Sequence, residues 1–570
     1  MYQINSYTCV CCHNCATECP VQAIDFVGTK YQIDQERCVQ CGLCAKVCHT
    51  CSIHDDEDPP KFAVHEKQYL SADVVVAGGG SGLIAAVRAA QQGKKVILLE
   101  KSEKLGGNTD YAHGFMPVYT RWHEEAGYED RREEAVRTFM KQSNYELDEK
   151  VIRTAVYGCG YFFDWLCEQT DCHKVYRLVP TGGADFHGPT FTSALLDFPY
   201  RICDNLNCRD DAIGPGWAGT FVKYSMLEAI EKQGLDVTIL LATPARHLLL
   251  NEDGSIRGVL AQDPGGEIEI SAPAVILQTG GFGRSDEKLQ EFFGFFDDQN
   301  TAVLPHRFSV PTDTGDAIDM LRELNVEPNP DRLFCSPFGP KHHPFNNSLA
   351  DIALEPEMIQ VNLNGKRWVN EEGHLNGMTP YITQQPRHIS YAIGTRDMIA
   401  MIADRFIRNP ANANKKQFYE TWEEELNEEC QLEVPAKRAD TLEELGRLCG
   451  MPEGALVETV RTYNQYCRQG KDEDFGKGAS HLLPIDMEKG PYYAIYGQRF
   501  SEAAMGGLMV DEQCRVLRND GSVIPGLYAG GDATSAMHRR GHLAVISELT
   551  WAVASAYTSG GLAAEYAGRR

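Results

Sequence analysis

The chain lacks any apolar run of the roughly 20 residues that a membrane helix requires, and it is short of positive charge. Its 54 Lys and Arg stand against 80 Asp and Glu, a formal net charge of −26. Nucleic acid and anionic lipid surfaces reward clustered Lys and Arg, so neither is expected as a partner. Direct membrane insertion is not expected either; a membrane contact would need another subunit. No cleaved leader is expected, because a dense cysteine pattern already occupies the N-terminal segment. Of the 20 cysteines, twelve, from Cys11 to Cys514, follow no disulfide-framework spacing. Such scattered thiols suit a reducing, oxygen-poor cytoplasm. What is plentiful is length and apolar content. With 570 residues and 43% hydrophobic content, several domains with sizeable cores are expected.

The remaining eight cysteines repeat one pattern. Cys9, Cys12, Cys15 and Cys19 form C-x2-C-x2-C-x3-C before Pro20, and Cys38, Cys41, Cys44 and Cys48 repeat it, with His49 in place of the proline. Structural zinc or disulfides would suit one C-x2-C; eight cysteines in matched register favour iron–sulfur chemistry. The spacing resembles that of bacterial ferredoxins. That resemblance implies two [4Fe-4S] clusters with crossed ligation: Cys9, Cys12 and Cys15 with Cys48, and Cys38, Cys41 and Cys44 with Cys19. Such clusters move single electrons.

An acidic segment with Pro59-Pro60 follows and reads as a linker at 57–70 after a module at 1–56. Asp73 to Ala77 is then a β-branched strand, Gly78-Gly79-Gly80-Ser81-Gly82 a turn, and Leu83 to Gln92 a helix stopped by Gly93. Lys95 to Leu99 is a second strand, ending in Glu100. Strand, glycine turn, helix, strand and acid make a βαβ dinucleotide unit, with pyrophosphate at the helix N-terminus and ribose on the acid. Ala77 stands where the fingerprint has its first glycine. NAD and FAD remain open at this point.

Further motifs follow in order: Gly106-Gly107-Asn108-Thr109, Thr279-Gly280-Gly281-Phe282-Gly283, Thr314-Gly315-Asp316-Ala317, Asn364-Gly365-Lys366-Arg367-Trp368-Val369-Asn370-Glu371, Met505-Gly506-Gly507-Leu508, and Ile524 to Asp532. Lys471 to Gly476 adds another. The series resembles the flavoprotein subunits of the fumarate reductase and succinate dehydrogenase superfamily, from Ala72 to Arg570. The resemblance implies a fold of class α/β: a split Rossmann-type FAD-binding domain at 71–334 and 491–570, with an inserted α+β cap at 335–490. The small α+β ferredoxin-like domain precedes it.

The resemblance also places FAD contacts. Gly79, Gly80, Ser81 and Gly82 are expected at the pyrophosphate, Glu100 and Lys101 toward the adenosine ribose, and Gly107, Asn108, Thr109 and Gly114 along the flavin. Thr279 and Gly280 are expected at the adenosine side, and Asp316 is a further expected FAD contact. Gly531 and Asp532 are expected near the ribityl chain, with the helix from Ser547 and Leu549 aimed at flavin O2. Relatives in membrane complexes attach FAD through a histidine at the position of Asn108, so non-covalent FAD is expected.

On the substrate side the pattern breaks. Aligned on neighbouring motifs, the dicarboxylate-binding histidines fall on Ser336 and on Glu502 or Ala503. The binding arginine falls on His542, the proton-donating arginine on Leu375, and its relay partners on Asp351 and Leu354. Neither required arginine is present, and leucine is no acid. A dicarboxylate left without cations costs several kcal/mol. Fumarate or succinate chemistry is therefore not expected. His538 to His542 offers four cationic side chains in five residues, which would bind an anionic group or polarise a carbonyl; a solvated basic loop is the plainer alternative. Catalytic candidates are His542, Arg540, His374, Tyr381 and Tyr111.

The leading reading is a flavoenzyme that receives electrons through the clusters and passes a hydride to an activated C=C bond. An enoate, enoyl thioester or cyclic, steroid-like enone would suit, and the reverse reaction would be a dehydrogenation. No second dinucleotide fingerprint is present, so the expected donor is a ferredoxin, flavodoxin or partner flavoprotein rather than NAD(P)H. A relay subunit without its own substrate is the second reading, which a substrate cap argues against. Flavin chemistry on sulfur, as in adenylylsulfate reductases, ranks last.

Overall fold

The computed structural model describes residues 1–4, 14–17, 19–27, 30–48, 53–55, 65–112, 114–115, 117–142, 145, 147–170, 176–180, 200–204, 218–293, 310–333, 348–373, 381–382, 384–408, 419–431, 436–498, 504–539, 542–543 and 548–569. Among them no helix is long and apolar enough to cross a membrane.

Val74-Val75-Val76-Ala77 and Val96-Ile97-Leu98-Leu99 are apolar at every position, which suits strands covered on both faces. They lie inside a six-stranded sheet in the order Val237–Leu240, Val96–Leu99, Val74–Ala77, Ala274–Leu277, Val523–Ala529, Arg515–Leu517. The first five strands are parallel; the last is antiparallel. Side chains alternate between faces. Val75, Ala77, Ile97 and Leu99 pack toward a second, four-stranded sheet. Val74, Val76, Val96 and Leu98 pack toward helices Gly82–Gln91 and Glu548–Ala567. These two helices approach closely because both carry small residues. A Cβ on Gly560 would stand 2.6 Å from the Ala85 carbonyl oxygen.

The N-terminal module closes on itself. Tyr2–Ile4 pairs antiparallel with Ile53–Asp55, and Ile24–Val27 pairs with Lys30–Ile33. Two expected boundaries move. The linker at 57–70 ends earlier than its composition suggests, because Gln68–Ser71 forms the parallel edge strand of the four-stranded sheet. His65 Nε2 also meets Asp263 Oδ1 at 2.8 Å just before it. Residues 56–64 lie outside the described residues.

The cap does not end at 490. Tyr492–Gln498 is an inner strand of its sheet, in the order Ile359–Asn362, Ile389–Thr395, Tyr492–Gln498, Ala436–Ala439. It pairs on both sides, and only its removal into the cap sheet satisfies both ladders. The chain instead crosses between the domains on a ribbon of Asn329–Leu333 and Ala504–Gly507.

Two sequence motifs far apart in the chain meet inside the cap as one buried ion cluster. Arg367 donates to Glu371 at 3.0 and 2.8 Å and to Asp472 at 3.2 and 3.0 Å. Lys477 Nζ stands 3.2 Å from Glu371 Oε2, and all four side chains are at most 4% exposed. Burial opposes the charge on Glu371, but Lys477 and Arg367 hold its carboxyl below the ordinary value.

Candidate functional site

The strands Val74–Ala77, Val96–Leu99 and Ala274–Leu277 end at one side of the sheet, where the loops that follow them surround a cleft. Such crevices at the carboxyl ends of parallel strands are where α/β sheets bind nucleotides. The cleft, partly open to solvent, holds about 920 Å³ of space not filled by protein atoms. Gly79, Gly80, Ser81, Glu100, Lys101, Gly107, Asn108, Thr109, Thr279, Gly280, Asp316, Gly531, Asp532 and Leu549 line it. The structure brings these sequence-identified residues together from seven separate segments.

The glycine turn divides its tasks. Gly78 takes φ 113°, and a Cβ there would lie 2.0 Å from the Gln278 carbonyl oxygen. The left-handed corner thus falls on Gly78, which lets Ala77 stand in the strand end. Gly80 leaves room at the cleft, since its Cβ would sit 2.7 Å from both Gly106 O and Thr109 Oγ1. Gly82 does not line the cleft. It begins the helix and packs on the strand, with a Cβ 3.0 Å from Val76 Cγ1. The Gly114 backbone lies in a short strand, paired with Cys203.

Glu100 is buried at 7% exposure and accepts hydrogen bonds from the Gly79 and Ser102 N–H groups at 2.8 and 2.7 Å. Burial raises its carboxyl above the ordinary value, and those two donors oppose the shift. Lys101 Nζ bridges to Asp316 Oδ2 at 2.8 Å and Thr314 Oγ1 at 2.7 Å, closing one rim. Asn108 Oδ1 accepts from the Val310 N–H at 2.9 Å, so its amide ties two lining segments together. Thr109 Oγ1 accepts from the Ser81 N–H at 3.1 Å and links the glycine turn to the 3-10 turn Gly107–Tyr111.

Three features of the cleft were not apparent in the sequence. Asp110 and Lys223 form a buried ion pair, 2.5 Å apart, beneath the 3-10 turn. Helix Ala218–Gln233 presses on the same turn: Gly219 N–H donates to Ala112 O at 3.1 Å, and Thr220 Oγ1 donates to Asp110 O at 3.0 Å. Gln278 lines the cleft with its Oε1 taken by Ser81 Oγ at 3.0 Å. Its Nε2 and the neighbouring Thr279 Oγ1 are buried without a protein partner. Buried polar atoms are nearly always satisfied. Two such atoms at a glycine-lined cleft fit a polar ligand such as a dinucleotide. Only a hydroxyl beside the strand end, as in Gln278-Thr279, hinted at this in the sequence.

At the opposite rim, Gly531 N–H donates to Ser555 Oγ at 3.0 Å, and Trp551 Nε1 donates to Thr534 Oγ1 at 2.8 Å. Helix Glu548–Ala567 thereby holds the Gly531–Ala533 turn, and its first turn presents Leu549 and Ala552 to the cleft. An N-terminal turn placed there offers the positive end of the helix dipole.

The catalytic candidates fare differently. His542 pairs with Arg539 in a hairpin of His538–Arg539 and His542–Leu543, and the Tyr111 backbone ends the 3-10 turn; neither side chain is described. Arg540, His374 and Ser547 lie outside the described residues. Tyr381 is 48% exposed on the cap and is not among the cleft's lining residues. Asp351 accepts from Tyr419 OH at 2.6 Å, while Leu354 is buried in the cap's apolar core.

In the N-terminal module, Cys19, Cys38, Cys41 and Cys44 line one cavity. Ala23 N–H donates to Cys19 Sγ at 3.2 Å and Gln40 Nε2 to Cys38 Sγ at 3.4 Å, as suits thiolate acceptors. Burial pushes the Cys44 thiol up, and the neighbouring Cys38, Cys41 and Cys19 add to the shift. Cys15 and Cys48 are both buried and free of disulfides. Cys9 and Cys12 lie outside the described residues.

The chain is similar to known proteins. A family model described as an FAD binding domain matches residues 73–547, and one described as a 4Fe-4S binding domain matches residues 31–48. The chain is 28% identical over 530 residues to an NADH:acrylate oxidoreductase of Vibrio harveyi, covering 84% of this chain and 49% of that protein. It therefore spans about half the length of that relative. A fumarate reductase (cytochrome) of Shewanella frigidimarina is 26% identical over 490 residues, covering 85% of this chain and 75% of that protein. Among solved structures, a 3-ketosteroid-delta4-(5alpha)-dehydrogenase from Rhodococcus jostii, in complex with 4-androstene-3,17-dione, superposes with a TM-score of 0.66. It is 23% identical and is covered over 98% of its length, against 88% of this chain, a likeness of fold.

Proposed function

The chain belongs to the FAD binding domain family, and from that premise we propose that it is an iron–sulfur flavoenzyme reducing an activated C=C bond. The substrate class is an enoate, enoyl thioester or cyclic enone other than fumarate. The observation that carries the reading is a thiol-lined cavity and a glycine-lined cleft on one chain, which we read as two electron-handling sites. The relatives' names, acrylate and fumarate among them, support a C=C bond as the target.

Bound FAD would supply the conversion between single electrons and a hydride. In the cleft, Gly79, Gly80 and Ser81 would approach the pyrophosphate, and Glu100 would bind the ribose. Gln278 Nε2 and Thr279 Oγ1 would gain the partners they lack. Gly107, Asn108 and Thr109 would border the flavin, and the helix turn at Leu549 would stabilise negative charge on it. Two [4Fe-4S] clusters would take Cys9, Cys12, Cys15 and Cys48, and Cys38, Cys41, Cys44 and Cys19. Such centres suit a reducing, cytoplasmic setting and a ferredoxin, flavodoxin or partner flavoprotein as donor.

On the substrate side, Leu354 stands where the resemblance puts a relay arginine, in an apolar environment that would strand a charge. His542 and Arg540 are proposed to hold the substrate's carbonyl or carboxylate and to deliver the proton, with His374, Tyr381 and Tyr111 as further candidates. The decisive measurement is anaerobic. Dithionite-reduced enzyme is mixed with a panel of acrylates, enoyl thioesters and cyclic enones, and the return of flavin absorbance is followed. Reoxidation by at least one class and not by fumarate is expected; a panel without any reoxidant overturns the reading.

An amide offers no ring nitrogen for a flavin link, and that of Asn108 is engaged by Val310. Acid precipitation is therefore expected to leave all yellow colour in the supernatant. A yellow pellet would contradict non-covalent FAD.

A further inference from the structure

The two electron-handling sites touch through a side chain that belongs to neither, Lys104. Its Nζ donates to the carbonyl oxygens of Ala45 at 2.7 Å and Cys48 at 3.4 Å. These carbonyls lie at the end of helix Leu43–Val47, where backbone oxygens lack helical partners and favour a cation. Cys48 is buried beside the N-terminal module's small core, together with Cys15.

The other end of the Lys104 loop is fixed to the cleft. Ser102 N–H donates to Glu100 Oε1 at 2.7 Å, and Gly106 N–H donates to Gly79 O at 3.0 Å. Leu105 packs against Gly79, and Gly107, three residues beyond Lys104, lines the cleft. One hydrogen bond and a short stretch of anchored backbone therefore join a cysteine's own carbonyl to the cleft wall. The opposite side of the module faces solvent: Cys41 is exposed, and Val39 and Leu43 beside it are 60% and 40% exposed.

We propose that Lys104 is a positioning residue for internal electron transfer, holding the cluster ligated by Cys15 and Cys48 against the loop that borders the flavin cleft. The inference rests on the reading above of two clusters and FAD. Electrons would arrive at the solvent-facing Cys41 side and leave on the Cys48 side. Each transfer oxidises a cluster by one electron and reduces the flavin by one; two transfers and one proton complete the hydride equivalent. The reductant is a low-potential one-electron donor, for which reduced viologen serves as the probe.

The test compares holoenzyme with Lys104→Met and Lys104→Arg by stopped-flow flavin bleaching under reduced viologen. Iron and FAD contents and the EPR midpoint potentials of the clusters are read alongside. Loss of a charge-assisted hydrogen bond corresponds to about a tenfold slowing. K104M is expected to slow bleaching by that factor with iron, FAD and potentials unchanged, and K104R, which keeps the donors, to restore most of the rate. A wild-type rate in K104M overturns the proposal, as does a slow rate explained by lost iron in both K104M and Lys104→Gln. Enzyme stripped of clusters provides the separate control. If its flavin bleaches as fast as that of holoenzyme, the clusters do not feed the flavin, and the parent reading fails instead.

Discussion

Arg367→Met is expected to destabilise the cap by about 3–5 kcal/mol, the cost of breaking a buried ion pair from one side. Arg367 is the only side chain that touches both Glu371 and Asp472 through forked hydrogen bonds among the described residues. Without it, buried Glu371 keeps Lys477 as its cationic partner, and buried Asp472 is left with the backbone N–H groups of Asp474, Phe475 and Lys477. Removing the charge also removes a guanidinium stacked 4.9 Å from the Tyr463 ring centroid. Differential scanning calorimetry should show a lowered cap transition, while FAD content stays at the wild-type level because none of these residues lines the cleft. An unchanged calorimetric trace would mean that the cluster contributes nothing to the cap. Restoring apolar packing by replacing all four charged residues is expected to recover part of the loss.

Gly219→Ala should weaken FAD binding by roughly ten- to a hundredfold, the equivalent of one overpacking penalty. A Cβ on Gly219 would lie 1.7 Å from the Thr109 carbonyl oxygen, a backbone atom that cannot swing aside. Either the N-terminal turn of helix Ala218–Gln233 withdraws, or the 3-10 turn Gly107–Tyr111 is displaced into the cleft. Both routes disturb the Asp110–Lys223 pair and the lining residues Gly107, Asn108 and Thr109. Titration of deflavinated protein with FAD, followed by fluorescence quenching, measures the effect. Gly561→Ala is the control, since the nearest atom to its Cβ would be the flexible Gln92 side chain at 3.4 Å. Equal affinity in the two variants would show that the helix does not set the turn.

These two expectations also mark how far the sequence reaches. The glycine turn and Glu100 were legible because each is a local device, whereas the segments at Gly107 and Gly531-Asp532 were legible only through the family resemblance. A left-handed corner, a strand-end acid or a tight turn is encoded within a few neighbouring residues. Gly78 and Gly82 were legible as glycines but not by task. Which of them turns the chain and which packs a helix depends on the partner strand at Gln278 and Val76. Gly219, Lys223 and Gln278 carried no local signal, since their meaning comes from groups more than a hundred positions away along the chain.

Domain boundaries failed for a related reason. Gln68–Ser71 looked like the end of a polar linker, and Tyr492–Gln498 like a return to the nucleotide domain. Strand membership is decided by hydrogen-bond partners, and those partners are Gly266–Ser271 for the first and two cap strands for the second. No local composition encodes them.

By itself, then, the sequence determined a dinucleotide-type glycine turn and a repeated cysteine pattern of iron–sulfur type, both short-range patterns, while the choice of FAD over NAD came from the resemblance carried by the later motifs. It also showed that His542 and Leu375 stand where the family resemblance puts the two dicarboxylate arginines, a matter of residue identity. Only the tertiary structure decided that Lys223 pairs with Asp110 beneath the 3-10 turn, and that Arg367 and Asp472 neutralise each other inside the cap. It alone placed Lys104 on the carbonyls beside Cys48. The physical reason is common to all three. Burial makes an unpaired charge or polar group costly, and the partner that relieves that cost is chosen by where the folded chain passes, not by what stands next in the sequence.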